Sequence, residues 1–136
     1  MSARAMQKLV PWDTGIIADW YRANTLVSLE VPSEGKVLIK LVEEHTEQHW
    51  ELAFHPYQAI RITTEECVLT VGTLSGAPQK GGFFEALDSD WIRALGKGKI
   101  AFLEKSRHFI ISTYDDVIEI IARNCSARKL ESRGYS

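Results

Sequence analysis

His108-Phe109-Ile110-Ile111-Ser112-Thr113-Tyr114-Asp115-Asp116-Val117-Ile118-Glu119-Ile120-Ile121-Ala122 decides the fold. Two apolar, mostly β-branched runs flank a short acidic turn, which predicts a two-stranded antiparallel ribbon. A helix competes for the second run. Thr113-x-x-Asp116 resembles a capping box with Asp in place of Glu or Gln, and Val117, Ile118, Ile121 and Ala122 fall on one helical face. The strand is favoured, because β-branched side chains crowd χ1 in a helix but suit a pleated sheet.

Upstream of this ribbon the same alternation recurs. Gly15 to Tyr21 and Thr25 to Val31 read as strands joined by a turn at Ala23-Asn24. Pro32-Ser33-Glu34-Gly35 is a turn, since Pro fixes φ and Gly permits positive φ. Lys36 to Val42 is apolar on both faces apart from Lys40 and reads as a central strand. Trp50, Leu52 and Phe54 alternate with Glu51, Ala53 and His55, and Pro56 then imposes a bend or an edge. Ile60 and Ile62 predict a further strand, as do Cys67, Leu69 and Val71 beyond a turn at 64–66. The segment 72–82, rich in Gly, Ser and Pro, reads as a loop.

Phe83-Phe84 opens a short strand. Asp88-Ser89-Asp90 offers an N-cap, Trp91, Ile92 and Leu95 share a helical face, and Gly96 can end the helix. The expected fold class is α+β: a mainly antiparallel, twisted sheet, curled toward a half-barrel, with this one short helix. At this length the chain reads as a single domain, 1–136, with residues 1–8 loosely held and 124–136 a polar tail. The expected core is Val27, Leu29, Val37, Ile39, Leu41, Trp50, Leu52, Phe54, Ile60, Ile62, Leu69, Val71, Phe84, Trp91, Leu95, Phe109, Ile111, Ile118 and Ile120.

Apolar residues make up 45% and charged residues 25%, the balance of a globular domain rather than a disordered one. A net charge of −2 argues against a nucleic-acid partner. The charge is uneven: acids dominate between Glu30 and Glu66, whereas Lys97 to Arg107 and Arg123 to Arg133 lean basic. No apolar h-region opens the chain and no apolar run approaches the ~20 residues of a bilayer span, so a cytoplasmic protein with reduced Cys67 and Cys125 and no membrane association is expected.

Groups with chemical potential are scattered. His45 and His49 lie four apart beside acids and are the only weak metal candidates; the order His-Thr-Glu-Gln-His is not that of zinc proteases, and a hairpin connection would not hold helical geometry. Asp88 and Asp90 suit capping, and Asp115-Asp116 suits a turn. Glu119 is the odd acid: on the strand reading it shares a face with Val117 and Ile121, so it sits at a wet edge or pairs with a cation. His55 and His108 read as single structural histidines, and no serine has a nucleophile-elbow setting. No catalytic residue and no cofactor is expected.

Phe84-Glu85, then Asp88-Ser89-Asp90-Trp91-Ile92, then His108-Phe109-Ile110-Ile111 and the run from Tyr114 to Ala122 resemble the C-terminal part of small bacterial proteins, some of them similar to immunity proteins of toxin–immunity systems. The resemblance covers under a third of the chain, about 40 residues of packing and turn positions, and implies no catalytic residue. The leading expectation is a non-enzymatic interaction protein whose acidic surface, Glu43, Glu44, Glu47, Glu51, Glu65 and Glu66 with Trp20 and Tyr57, meets a basic protein partner. Self-association stays open. The alternatives are a barrel-like domain holding a small ligand among Trp20, Tyr21, Trp50 or Tyr57, and a metal-dependent hydrolase using His45 and His49.

Overall fold

The computed structural model describes residues 8–16, 23–64, 66–67, 81–96 and 105–131. Among these the strands are β1 Lys8–Pro11, β2 Asn24–Ser33, β3 Lys36–Glu43, β4 His49–Phe54, β5 Tyr57–Thr64, β6 Phe83–Leu87, β7 Arg107–Ser112, β8 Asp116–Ala122 and β9 Cys125–Leu130. One short helix, α1, spans Asp90–Leu95. The strands form two open antiparallel sheets. Sheet A has the order β1-β6-β7-β8-β5 and sheet B the order β2-β3-β4-β9. The expected α+β fold with one curled sheet is therefore corrected to a mainly-β fold with two sheets.

The two sheets are joined by one bent pair of strands. β4 pairs with β9 through Phe54↔Cys125, and β5 pairs with β8 through Tyr57↔Ala122, so two residues separate the two pairs on each side. The corner keeps its ladder: His55 N–H donates to Asn124 O and Arg123 N–H to Pro56 O, both at 3.1 Å. Pro56, which donates no backbone hydrogen bond, sits at the bend with a cis peptide before it. The polar stretch expected as a tail from 124 onward thus supplies β9 and completes the corner.

The inner faces meet in one core. Val37, Ile39, Leu41, Leu52 and Phe54 of sheet B pack on Phe83, Phe109, Ile111, Ile118 and Ile120 of sheet A. Trp12 closes this core, its ring centroid 4.7 Å from Phe109 and 6.0 Å from Phe54. Sheet A also buries its other face, where Leu9, Phe84, Ala86, Ile110 and Val117 cluster. Burial on both faces explains the near-continuous apolar runs of β7 and β8.

Several expectations are corrected by register. In β2 the ladder slips between Leu26 and Ser28, a one-residue irregularity that resets which side chains face inward. Leu26 and Leu29, three apart, therefore pack against the core, while Val27 is 51% exposed. Ile62 lies on edge strand β5 and is 50% exposed, although Ile60 packs inward. Trp50 is half-buried and packs against the core as expected, whereas Trp91 and Leu95 are half-buried outside it. Gly15 and Ile16 are not in a strand, and Cys67 is helical rather than extended; the rest of those two expected strands (17–21 and 68–71, with Leu69 and Val71) lies outside the described residues, as does nearly all of the 72–82 loop.

Candidate functional site

A buried polar row crosses the outer side of sheet A. Arg61 on β5 and Glu119 on β8 are direct cross-strand partners. Arg61 donates to Glu119 through Nε and Nη2, each at 2.8 Å. Glu119 Oε1 also lies 2.8 Å from His108 Nε2, on the adjacent strand β7. His108 Nδ1 in turn lies 2.7 Å from Ser89 Oγ. Ser89 is the N-cap of α1 and accepts a hydrogen bond from Ile92 N–H at 3.1 Å. Ser89, His108 and Glu119 are all buried.

The protons follow from what each group can do. An ionised carboxylate only accepts, so His108 Nε2 carries a hydrogen and donates to Glu119. Ser89 Oγ already accepts from the helix amide, so its own hydrogen is free to go to Nδ1. Burial acts to raise the Glu119 pKa, but hydrogen bonds from His108 and Arg61 and the Arg61 charge outweigh it, and the carboxyl sits below its ordinary value. Trp91 of α1 stands edge-on to the imidazole at 5.3 Å, and the Arg61 guanidinium lies 4.2 Å over the Trp91 ring.

Hydroxyl, imidazole and carboxylate in a row is the order of a hydrolytic triad. Here the hydroxyl is 5% exposed and committed to the helix amide, and the carboxylate is neutralised by a cation. The row fastens α1 to the sheet. A helix of this length is not stable by itself, and none of its residues is fully buried. Ser89 and Trp91 are what dock it. Arg93 on the exposed side pairs with Asp88 and Asp90, so those two acids support the helix as well.

The residues expected to form an acidic binding face are divided by the fold. Glu43 is 6% exposed, and its carboxylate accepts from His45 N–H at 2.7 Å and from Thr46 N–H, capping its own turn. Glu51 is 8% exposed and accepts from Arg128 Nε at 2.8 Å. These two are spent within the molecule. Glu44, Glu47 and Glu66 are exposed, Tyr57 is half-buried against the core, and Trp20, Tyr21 and Glu65 lie outside the described residues. His45 sits in the 44–46 turn and His49 opens β4; among the described residues no three His, Cys, Asp or Glu side chains gather as a metal site.

Tertiary structure adds members to the acidic face that the sequence did not assign to it. Glu44 N–H donates to Ala23 O at 2.9 Å, and Tyr114 N–H donates to Asn24 O at 2.8 Å. The turn after β3 and the turn between β7 and β8 are thereby hooked to adjacent residues at one end of the sandwich. The second turn is tied by Thr113, whose hydroxyl donates to Asp116 O at 2.8 Å and accepts from Asp116 N–H at 3.0 Å. Glu44, His45, Thr46 and Glu47 of the first turn and Tyr114 and Asp115 of the second are exposed. The buried row also had a signal: in an antiparallel ribbon closed at 113–116, His108 and Glu119 fall on one face as a diagonal pair.

No family model matches the chain, and neither a curated protein nor a solved structure matches it.

Proposed function

We propose that this chain is a non-enzymatic interaction protein that covers a basic surface of a protein partner, with neutralisation of a bacterial toxin as its most concrete form. The observation that carries this is the shared anchor of two acidic turns on Ala23 and Asn24. It brings the turn that carries Glu44 and Glu47 to the same end as the turn that carries Asp115 and Tyr114, whose side chain is 44% exposed. An exposed aromatic on an end whose charged side chains are mostly acidic suits a basic partner, since such charges steer encounter and exclude wrong partners. The groups best suited to chemistry, Ser89, His108 and Glu119, are occupied in holding α1, which favours binding over catalysis.

The test is site-specific photocrosslinking in the native host. A photoreactive benzoylphenylalanine at Tyr114 should give one discrete adduct, with the crosslink on a Lys- or Arg-rich surface. The adduct should disappear when Glu44 and Glu47 are both changed to Lys. Absence of any adduct from position 114, or one indifferent to the charge reversal, would count against this surface. A partner of the toxin class should lose its toxicity when the chain is co-expressed, and retained toxicity would remove that version.

A further inference from the structure

The outer face of sheet B carries a trough remote from any role in the acidic end. Side chains on this face line up in rows across the strands. One row is Leu38, Ala53 and Ser126, set by the pairs Leu38↔Ala53 and Ala53↔Ser126. The next row is Lys40, Glu51 and Arg128, and on the opposite side stand Lys36, His55 and Asn124. Ala53 and Ser126 are short, so their row forms the floor, and the long residues form the banks. The result is two contiguous open hollows of about 340 and 410 Å³ that share Lys36, Ala53 and Ser126. Each is of the size that small-molecule sites occupy.

The charges around this floor are arranged as well as present. Glu51 is nearly buried despite its outward position, and among the described residues its one side-chain partner is Arg128 Nε. That bond fixes the guanidinium by one edge. The Arg128 side chain is otherwise 69% exposed, and its Nη groups carry no ion pair among the described residues. Lys36 and Lys40 have no ion pair there either. Three cations therefore stand beside one carboxylate, and the guanidinium is tied to it by its Nε edge, with the Nη edge turned away from that bond. A planar, pre-oriented guanidinium is the group that recognises carboxylate or phosphate oxygens in pairs.

The geometry points to a binding site for a small organic anion, a carboxylate or phosphate monoester with a short apolar body, on the outer face of sheet B. The Arg128 Nη groups and the Lys36 ammonium hold the charged group from opposite banks, and the Ser126 hydroxyl donates to it. The apolar part lies over Ala53 and Leu38. Glu51 is a positioning residue that aims Arg128. This site is independent of the acidic end and stands or falls without it.

The test is an amide-resolved NMR titration at constant ionic strength with inorganic phosphate, phenyl phosphate, benzoate and uncharged benzyl alcohol. Saturable shifts should centre on Ala53 and Ser126. Phenyl phosphate should bind about fivefold tighter than phosphate because its ring covers the apolar floor, and benzyl alcohol should not bind. Tighter binding of phenyl phosphate than of benzoate, or the reverse, identifies the preferred anion. Arg128→Ala should weaken binding about tenfold, the scale of a charge-assisted hydrogen-bonded pair, and Lys36→Ala on the other bank should weaken it independently. Glu51→Gln discriminates orientation from net charge: removing a negative charge strengthens anion binding if charge alone matters, and weakens it if Arg128 must be aimed. Shifts that do not saturate, that spread over every basic surface, or that survive Arg128→Ala overturn the site. Tighter binding by Glu51→Gln overturns the positioning role.

Discussion

Arg61 and Glu119 oppose each other across the β5–β8 ladder in a two-point fork, with the Glu119 side chain 1% and the Arg61 side chain 46% exposed. The pair is asymmetric: one charge is sealed in the sheet and the other is half in water. Removing the arginine leaves a buried carboxylate with His108 as its remaining partner. Arg61→Ala should therefore cost about 2–4 kcal/mol, toward the lower side of what breaking a buried pair costs because the lost cation is half-exposed. The Arg61→Met, Glu119→Gln double variant should lose less than Arg61→Ala. Urea unfolding of the three proteins measures it, and equal losses would show that the buried charge is not the issue.

Acid should find the same carboxyl. Its folded pKa lies below the ordinary value of 4.5. A depressed pKa stabilises the fold fully above the unfolded value, and that contribution disappears as pH falls through the folded one. Below about pH 4.5 the parent should lose stability more steeply than Glu119→Gln. Unfolding midpoints followed downward through the carboxylate range give the two slopes, and parallel slopes would contradict the assignment.

Ser89 holds two structures at once, the first turn of α1 and the His108 imidazole. Ser89→Ala should cost about 1–3 kcal/mol, combining a lost cap with an unpaired buried ring nitrogen. Amide exchange should rise over residues 90–95 before the rest of the fold. Treatment of the native protein with a fluorophosphonate should leave Ser89 unmodified. Labelling at that hydroxyl would mean that the row is catalytic machinery.

The two thiols should differ sharply. Burial pushes Cys125 up to about 12, only partly offset by Arg107, whereas Cys67 is exposed. A thiol reagent at mildly alkaline pH should modify Cys67 quickly and Cys125 only after unfolding. Equal rates on both, read by peptide mass spectrometry, would place Cys125 at the surface.

The irregularity in β2 makes a prediction that simple alternation would reverse. Val27→Thr should change stability by no more than about 0.5 kcal/mol, as at an ordinary surface position. Leu26→Ala should cost about 1–3 kcal/mol, since Leu26 packs against the core from a half-buried position. Chemical unfolding of the pair decides it. A costly Val27→Thr would mean that the ladder slip between Leu26 and Ser28 is absent.

Much of the architecture was legible along the chain because its signals are local. Period-two alternation announces β4, and β-branched apolar runs bounded by turn residues announce β3, β7 and β8. Ser89 caps α1 through its own hydroxyl three residues before Ile92, and Thr113 ties its turn to Asp116. Cys125–Leu130 was missed as a strand because an edge strand needs one apolar face at most, and this one runs from small residues into Arg128 and Lys129 with no apolar alternation. Of the candidate site, the sequence flagged Glu119 as an acid in need of a cation but could not name Arg61. It also counted Glu43 and Glu51 as surface charge, when each is turned to an internal partner.

The chain by itself determined where backbone would extend, where it would turn, and that most aliphatic groups would take one side. Sheet order decided the rest. Arg61 meets Glu119 only because β5 closes against β8, and the acidic turns share an end only because Ala23 and Asn24 receive them both. Alternation is written into each pleat, residue by residue, whereas a partner tens of residues away is fixed by register between strands. A slip of one position in that register sends a side chain to the opposite face.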